Sequence, residues 1–282
     1  MPEAGRKPTL VFFVDEIDRC RPTFAVELLE RIKHLFDIPN ILFVLSLDKQ
    51  QLETSIAAVY GQDIKAAEYL RRFIDLEYAI PAAKTKRFVE SLFSRFNLDE
   101  IFARRTHHEF RYDRSNFIDF FAALAEAIPL SLRAQERCIT RLRVVMDQTP
   151  DDNYLEPVLV ALLIVLRLSN QDLFVKLCNG QVAANEIMAY LNGLQGGHKI
   201  VSDRMGVAIE ANMIASDENE DRKASIIESL GTSAEDPNVS EAQRNRSAEV
   251  LRFVQHLSRS MRGGMPFSYV IRKIDLVAGI KE

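Results

Sequence analysis

Two short runs of continuously apolar residues, each ending at an acidic residue, constrain the fold of this chain more than any other feature. The run "LVFFV" leads into Asp15 and Glu16, and the run "ILFVLSL" leads into Asp48. Fully apolar, β-rich runs of this length are typical of strands that helices cover on both faces of a parallel sheet. Acidic residues crowded at a strand end repel one another unless a cation or a metal-bound phosphate lies among them.

The residues around these runs predict an α/β layer. Pro22 suits the first turn of a helix, Asp48 and Gln51 have the spacing of a capping box, and Gly61 is a typical helix end. A third run, "IDLEYAI", alternates apolar and polar residues up to a proline. The order strand, helix, strand, helix, strand predicts a partial parallel sheet of about three strands over residues 1–81.

Beyond residue 81 the strand patterns disappear and helical periodicity takes over. Helical patterns occur at 84–103, 116–128, 131–147, 154–168, 172–178 and 182–191. They predict an all-helical, lid-like domain over residues 82–192. The segment "GLQGGHK" at 193–199 reads as a flexible linker, and residues 193–282 are predicted to form a polar helical C-terminal region.

Composition excludes several classes of protein. The 282 residues include 36 basic and 40 acidic side chains, so the net charge of -4 gives no direct signal for nucleic-acid binding. Three cysteines without C-x-x-C spacing predict neither a disulfide framework nor a zinc site, which favours a cytoplasmic location. The longest apolar run, "PVLVALLIVL", has about half of the roughly 20 residues that a membrane span needs, so we expect no span in this chain.

The strings "VFFVDEIDRCRP", "ILFVLSLD" and "EYLRRFIDLEYAIP", in that order, resemble the KAP family of P-loop ATPases over residues 10–81. In that family the first apolar strand and its acids form the Walker B element. The resemblance implies ATP and Mg²⁺ as cofactors, with Asp15 holding the metal and Glu16 polarising the attacking water. Asp18 and Arg19 match the family's "DR", and we expect them to form an ion pair or a hydrogen bond beside the site rather than to take part in the chemistry. The family is associated with phage defence in bacteria and with membrane-linked signalling in animals.

Further site residues follow from the same resemblance. Ser46 or Asp48 occupies the position of a polar sensor of the γ-phosphate, although the capping box favours Asp48 as a helix cap. Arg72, ahead of Arg71, corresponds to an arginine finger that completes a neighbour's site, which implies a homo-oligomer. The alternative for these two arginines is a solvated helix end.

In "PLSLRAQ", Arg133 corresponds to an arginine of the helical lid that reaches the nucleotide. The alternative is a solvated basic face, because Arg133, Arg137 and Arg141 lie four residues apart and pair readily with acids such as Glu136.

One essential element of a P-loop ATPase is missing from these residues. The phosphate cradle requires a Gly-Lys pair, and the chain contains none. Only eight residues precede Thr9, and the resemblance implies that the Walker A strand lies between the strands at 41–47 and 74–80. We therefore expect the C-terminal part of an ATPase that needs a missing N-terminal Walker A segment or chain. The alternative is a non-catalytic helical interaction module with a relic Walker B.

Two other kinds of metal site are weaker interpretations. The sequence His107-His108-Glu109 contains metal-ligand residue types, but adjacent histidines point in different directions and a surface loop is favoured. Clustered acids at Asp15, Glu16 and Asp18 also occur in two-metal nucleases, but no second motif supports that interpretation.

Overall fold

The chain consists of an α/β segment followed by a larger helical part. The computed structural model describes residues 9–36, 38–153, 155–259 and 266–275. Two compact units are present, Met1–Pro81 and Ala82–Glu282. A parallel two-stranded sheet lies in the first unit and the remaining described elements are helical. This confirms the predicted fold class, a partial α/β sheet followed by an all-helical part.

The first unit is a βαβ arrangement with further helices. Its elements are β1 (Leu10–Asp15), a 3₁₀ turn (Ile17–Arg19), α1 (Pro22–Lys33), β2 (Ile41–Ser46), α2 (Lys49–Tyr60) and α3 (Ala66–Leu70). The strands are parallel, and their register runs from Leu10 opposite Ile41 to Asp15 opposite Ser46. Pro22 starts α1 and Gly61, with φ of 98°, ends α2, as predicted.

Helices cover only one face of this sheet in the described residues. On that face Phe43 and Leu45 pack against a core that includes Leu29, Leu52 and Ile56. The opposite face, which we call the outer face, carries apolar side chains that are 37–77% exposed: Val11, Phe13, Leu42 and Val44. Because side chains alternate along a strand, Asp15 and Ser46 at the strand ends also belong to the outer face.

The third predicted strand, residues 74–80, does not join the sheet. Its apolar residues Leu76, Tyr78 and Ile80 are 89%, 80% and 87% exposed. One ion pair, Lys49 Nζ to Glu77 Oε2 at 2.6 Å, ties this segment to the start of α2. An alternating pattern becomes a strand only where a neighbouring strand supplies ladder hydrogen bonds, and within the described residues β2 pairs with β1 alone.

The second unit contains only helices in its described residues. These are α4 (Thr85–Arg95), α5 (Leu98–Arg104), a 3₁₀ turn (His108–Phe110), α6 (Asp113–Ala127), α7 (Leu132–Asp147), α8 (Pro157–Ser169), α9 (Gln171–Cys178), α10 (Ala184–Gly193), α11 (Gly197–Ser202), α12 (Arg204–Ala215), α13 (Glu220–Glu235), α14 (Glu241–Arg259) and α15 (Phe267–Ile274). The predicted helix at 84–103 is divided between α4 and α5 by Asn97, whose φ is 54°. The apolar run at residues 157–166 forms the fully buried part of α8.

The segment predicted as a flexible linker, residues 193–199, is a packed turn. Gly196 has φ of 79°, and a Cβ atom added to buried Gly197 would lie 1.8 Å from the carbonyl oxygen of Leu191. Helix α12 packs on α8, and one hydrophobic core includes residues from both sides of the turn. Residues 193–282 are therefore not a separate compact region, because their helices bury apolar faces against the helices that precede the turn.

The structure also bears on the predictions about membrane spans and about cysteines. None of the helices in the described ranges is both long and apolar enough to cross a membrane. Cys20, Cys138 and Cys178 are all free thiols.

Candidate functional site

The carboxyl ends of β1 and β2 bring three of the predicted site residues together. Asp15 lies opposite Ser46 in the parallel register, and Glu16 follows directly. The backbone N–H of Glu16 donates both to the Ser46 carbonyl, at 3.3 Å, and to Asp15 Oδ1, at 2.9 Å. Ligands of open parallel sheets bind outside the carboxyl ends of the strands. The predicted Walker B acids and one sensor candidate thus share the edge at which such ligands bind.

Glu16 has an unusual backbone conformation. Its φ of 58° and ψ of 26° lie in the left-handed region, where a residue with a Cβ is disfavoured by about 1 kcal/mol or more. The other non-glycine residues with positive φ in the described ranges are Asn40 and Asn97, and asparagine tolerates this region. Residues held in such conformations cluster at functional sites. This backbone therefore favours a functional role at Glu16.

The surroundings of Glu16 explain how this conformation is held. The following 3₁₀ turn is anchored by Ile17, which is 1% exposed. Arg19 Nη1 lies 2.7 Å from Glu16 Oε1, which is the ion pair expected beside the site. Both side chains are about half exposed, so this pair orients the carboxylate more than it stabilises the fold.

Asp48 caps a helix, whereas Ser46 faces open space. The Asp48 carboxylate accepts hydrogen bonds from the backbone N–H groups of Gln50 (3.0 Å) and Gln51 (3.2 Å) at the start of α2. This is the cap interaction that the sequence favoured for Asp48. The Ser46 hydroxyl is exposed and has no hydrogen-bond partner within the described residues. Of the two sensor candidates, Ser46 is therefore the one whose side chain is available to a ligand.

Arg72 lies on the surface beside a network of polar aromatic residues. Its guanidinium group is 5.7 Å from the centre of the Tyr69 ring. Glu30 Oε1 accepts hydrogen bonds from Tyr60 (2.6 Å) and Tyr69 (2.9 Å), which links α1, α2 and α3. Burial, followed by the hydrogen bonds of Tyr69 with Tyr60 and with Glu30, raises the pKa of Tyr69. The hydrogen bond from Tyr60, followed by that from Tyr69, lowers the pKa of Glu30. Arg72 is therefore exposed and lies beside a Tyr69 ring that the hydrogen bond to Glu30 holds in place.

Arg133 belongs to the second unit, whereas Asp15, Glu16 and Ser46 belong to the first. It is exposed in the first turn of α7. The acid proposed as its alternative partner, Glu136, pairs instead with Arg95, at 2.9 Å. The expected pairing of Glu136 with the basic face of α7 is therefore wrong, because an arginine on α4 reaches it across a helix contact.

The donor set at the strand ends fits a magnesium ion in part. A carboxylate (Asp15) and a hydroxyl (Ser46) are the hard oxygen ligands that Mg²⁺ prefers, and the ion usually takes its remaining ligands from water and phosphate. Within the described ranges no group of three or more His, Cys, Asp or Glu side chains is arranged to hold a metal by itself. The phosphate half does not fit, because the sequence contains no Gly-Lys pair. Glu109 is the third residue of the predicted His107-His108-Glu109 motif, and its side chain lies outside the part of the chain that the structure describes.

Comparison with known protein families decides how this site is interpreted. Residues 4–148 match the KAP family P-loop domain. The chain belongs to the KAP family of P-loop NTPases. Neither a curated protein sequence nor a solved structure matches the chain. The KAP match begins before β1 and extends through α7, so it includes every site residue predicted from the sequence.

Sequence reasoning missed two features of this KAP site. The left-handed backbone of Glu16 had no local signal, because glutamate is not a residue that favours this conformation. The Lys49–Glu77 ion pair had no signal either, because it joins residues 28 positions apart. The Arg19–Glu16 pair, in contrast, follows from spacing, since residues three apart in a helical turn face each other.

Proposed function

We propose that this KAP-family chain is the C-terminal part of an ATP-hydrolysing switch, and that its Walker A segment comes from outside these 282 residues. The observation that carries the proposal is the register of the sheet. It brings the Asp15 carboxylate and the free Ser46 hydroxyl to one edge, with Glu16 next to them in a strained conformation. Strained acids at the end of a parallel strand are suited to phosphoryl chemistry.

Each residue has a separate role in this proposal. Asp15 would hold a nucleotide-bound Mg²⁺, and Ser46 would sense the γ-phosphate. Glu16 orients the water that attacks phosphorus, so its carboxylate must exchange Arg19 for that water. Bound Mg²⁺ would neutralise the charge of the phosphate oxygens. The exposed Arg19–Glu16 pair is weak enough for this exchange, since such pairs contribute about 1 kcal/mol or less.

The sheet itself supports an added Walker A segment. Within the described ranges the second edge of β2 is unpaired, and the segment 74–80 has no regular secondary structure and no neighbouring strand. A strand placed between them would satisfy the backbone groups of both. The outer face also carries exposed apolar residues, and parallel sheets are normally covered by helices on both faces. A strand followed by a helix matches both requirements, and this is the structure of a Walker A segment.

Arg72 and Arg133 complete the proposal as groups that act on the phosphates. Arg72, exposed and stacked on Tyr69, acts as a finger in a neighbouring subunit's site, which requires a homo-oligomer. Arg133 acts from the lid. Mixing two inactive variants of the chain joined to a Walker A segment tests the finger, and Arg72→Ala and Glu16→Gln subunits should regain part of the ATPase activity when combined. No regained activity in verified mixed oligomers would exclude a finger that acts between subunits.

Calorimetric titration with Mg-ATP tests the central proposal. The 282-residue chain alone should show little nucleotide affinity. The same chain joined to a Walker A strand–helix segment from another KAP member should bind and hydrolyse ATP. Micromolar binding by the chain alone would contradict the conclusion that its phosphate-binding loop is missing. A correctly folded joined protein without nucleotide binding would support the other function, a non-catalytic helical interaction module.

Variants of the joined protein then test the individual residues. Glu16→Gln should bind Mg-ATP and hydrolyse it at least about 100-fold more slowly, since general-base groups contribute about 10²–10⁴ in rate. Asp15→Ala should lose magnesium-dependent binding. The matched control is Asp63→Asn, which removes an exposed acid of the same unit and should leave both properties unchanged. Equal activity in Glu16→Gln and the parent would remove Glu16 from the mechanism.

The output of the switch is proposed from the family. A phage-defence role predicts that bacteria expressing the complete protein lower the plating efficiency of sensitive phages, and that Glu16→Gln abolishes the effect. Protection that persists in Glu16→Gln would separate defence from hydrolysis. A role in membrane-linked signalling predicts that the complete protein sediments with membranes.

A further inference from the structure

The second unit contains a groove that is lined by none of the predicted site residues. It has a volume of about 450 Å³ and lies between α7 and α8. Its lining residues are Arg137, Cys138, Thr140, Arg141, Val144, Ile164, Arg167 and Leu168. This volume falls within the roughly 300–1,000 Å³ that is typical of binding clefts. None of these residues has a role in the proposed ATPase site.

The rim of the groove is strongly basic. Arg137 is exposed and forms no ion pair within the described residues, and Arg141 donates a hydrogen bond to the backbone carbonyl of Ile274. The charge of the third arginine, Arg167, is neutralised by an ion pair with Asp275, in which Nε lies 2.7 Å from Oδ1. No acid is among the residues that line the groove, and within the described ranges neither Arg137 nor Arg141 pairs with a carboxylate.

The floor of the groove is apolar. Cys138 and Ile164 are 2% and 1% exposed and form its deepest part, while Leu168 is 41% exposed at its edge. Burial raises the pKa of the Cys138 thiol to about 12, so this side chain contributes no negative charge near neutral pH. A ligand must therefore present apolar groups to the floor and anionic groups to the rim.

We propose that this groove binds an acidic amphipathic helix of a partner protein. Arg137 and Arg141 are four residues apart on α7, which separates them by about 6 Å along the helix axis. Carboxylates at positions i and i+4 of a helix lying alongside have the same spacing. Apolar residues on the adjoining face of that helix would cover Leu168 and Val144, as in other helix-in-groove complexes.

Fluorescence anisotropy with a designed probe tests this proposal on the full chain. The probe is a labelled 14-residue helical peptide with leucines at i, i+3, i+4 and i+7 and glutamates at i+1 and i+5 on the flanking face. We expect saturable binding that weakens as salt is raised, because the rim charges are exposed. A peptide with lysines in place of the glutamates should bind at least about tenfold more weakly.

Variants assign binding to the groove. Arg137→Glu reverses an exposed charge that forms no ion pair with any described residue and should weaken binding about tenfold or more, while Arg137→Lys should retain most of it. Leu168→Asp should weaken binding because it places a charge at the apolar edge of the groove. The matched control is Arg252→Glu, an equal charge change at an exposed position of α14, which should bind as the parent does. Circular dichroism and thermal melting of each variant verify that it is folded.

Three results would overturn the proposal. They are an absence of saturable binding, equal binding of the glutamate and lysine peptides, and a folded Arg137→Glu variant with parental affinity. Vesicles of phosphatidylcholine with 30% phosphatidylserine provide the remaining comparison. Vesicle binding that depends on Arg137, without peptide binding, would assign the basic rim to a lipid surface and refute the helix proposal.

Discussion

Substitution of Asp48 separates its function as a cap from a function in chemistry. Asp48→Ala removes the acceptor of two backbone hydrogen bonds, from Gln50 and Gln51, at the start of α2. Both donors are exposed, so water replaces the lost carboxylate and the cost stays near the typical N-cap value of about 1 kcal/mol. Loss of the negative charge at the positive end of the helix adds about 0.3–1 kcal/mol. We therefore expect local destabilisation of about 1.3–2 kcal/mol.

Hydrogen exchange of the α2 amides measures this cost without requiring the two units to unfold together. A local destabilisation of about 1.3–2 kcal/mol corresponds to exchange about 9–30-fold faster. Asp48→Ser keeps an oxygen acceptor and should exchange nearly as slowly as the parent. Unchanged exchange in Asp48→Ala, or equally fast exchange in Asp48→Ser, would refute the cap argument. In the joined ATPase, loss of hydrolysis in a stable Asp48→Ser variant would give Asp48 a part in the chemistry.

Three further substitutions test the fold and the sheet surface. Asp217→Ala removes a side chain that is 4% exposed and accepts two 2.6 Å hydrogen bonds from Arg222. It should lower the free energy of unfolding of the second unit by about 2–3 kcal/mol in denaturant titration. A loss below about 0.5 kcal/mol would contradict the argument from burial. Gly197→Ala forces a Cβ onto a backbone carbonyl of α10 and should lower the stability by about 1–3 kcal/mol. Gly193→Ala, with open space around the added Cβ, should change the stability by no more than about 0.5 kcal/mol. Equal melting temperatures of the two variants would be inconsistent with a packed turn. Phe13→Ser, at a side chain 77% exposed, should change stability by less than about 0.5 kcal/mol while reducing self-association in light scattering, and a large loss of stability would show that the outer face is already covered.

Local patterns predicted the first unit well where the relevant interactions are local. The continuous apolar runs became β1 and β2, Pro22 started α1, and Asp48 capped α2. Each of these outcomes depends on backbone restrictions or hydrogen bonds within a few residues. The resemblance to the KAP family also rested on consecutive residues, and the family match supports it.

The sequence by itself therefore determined the identity of the elements, the family and the candidate acids. Only the tertiary structure decided which surfaces those elements leave open. Residues 74–80 have a strand pattern without a strand, because pairing depends on a neighbour rather than on the segment. Residues 193–199 have a linker composition without a linker, because Gly197 allows a close backbone approach that composition does not encode. Glu136, which the sequence assigned to the basic face of α7, pairs with Arg95 on another helix, and helix packing rather than local spacing made that choice.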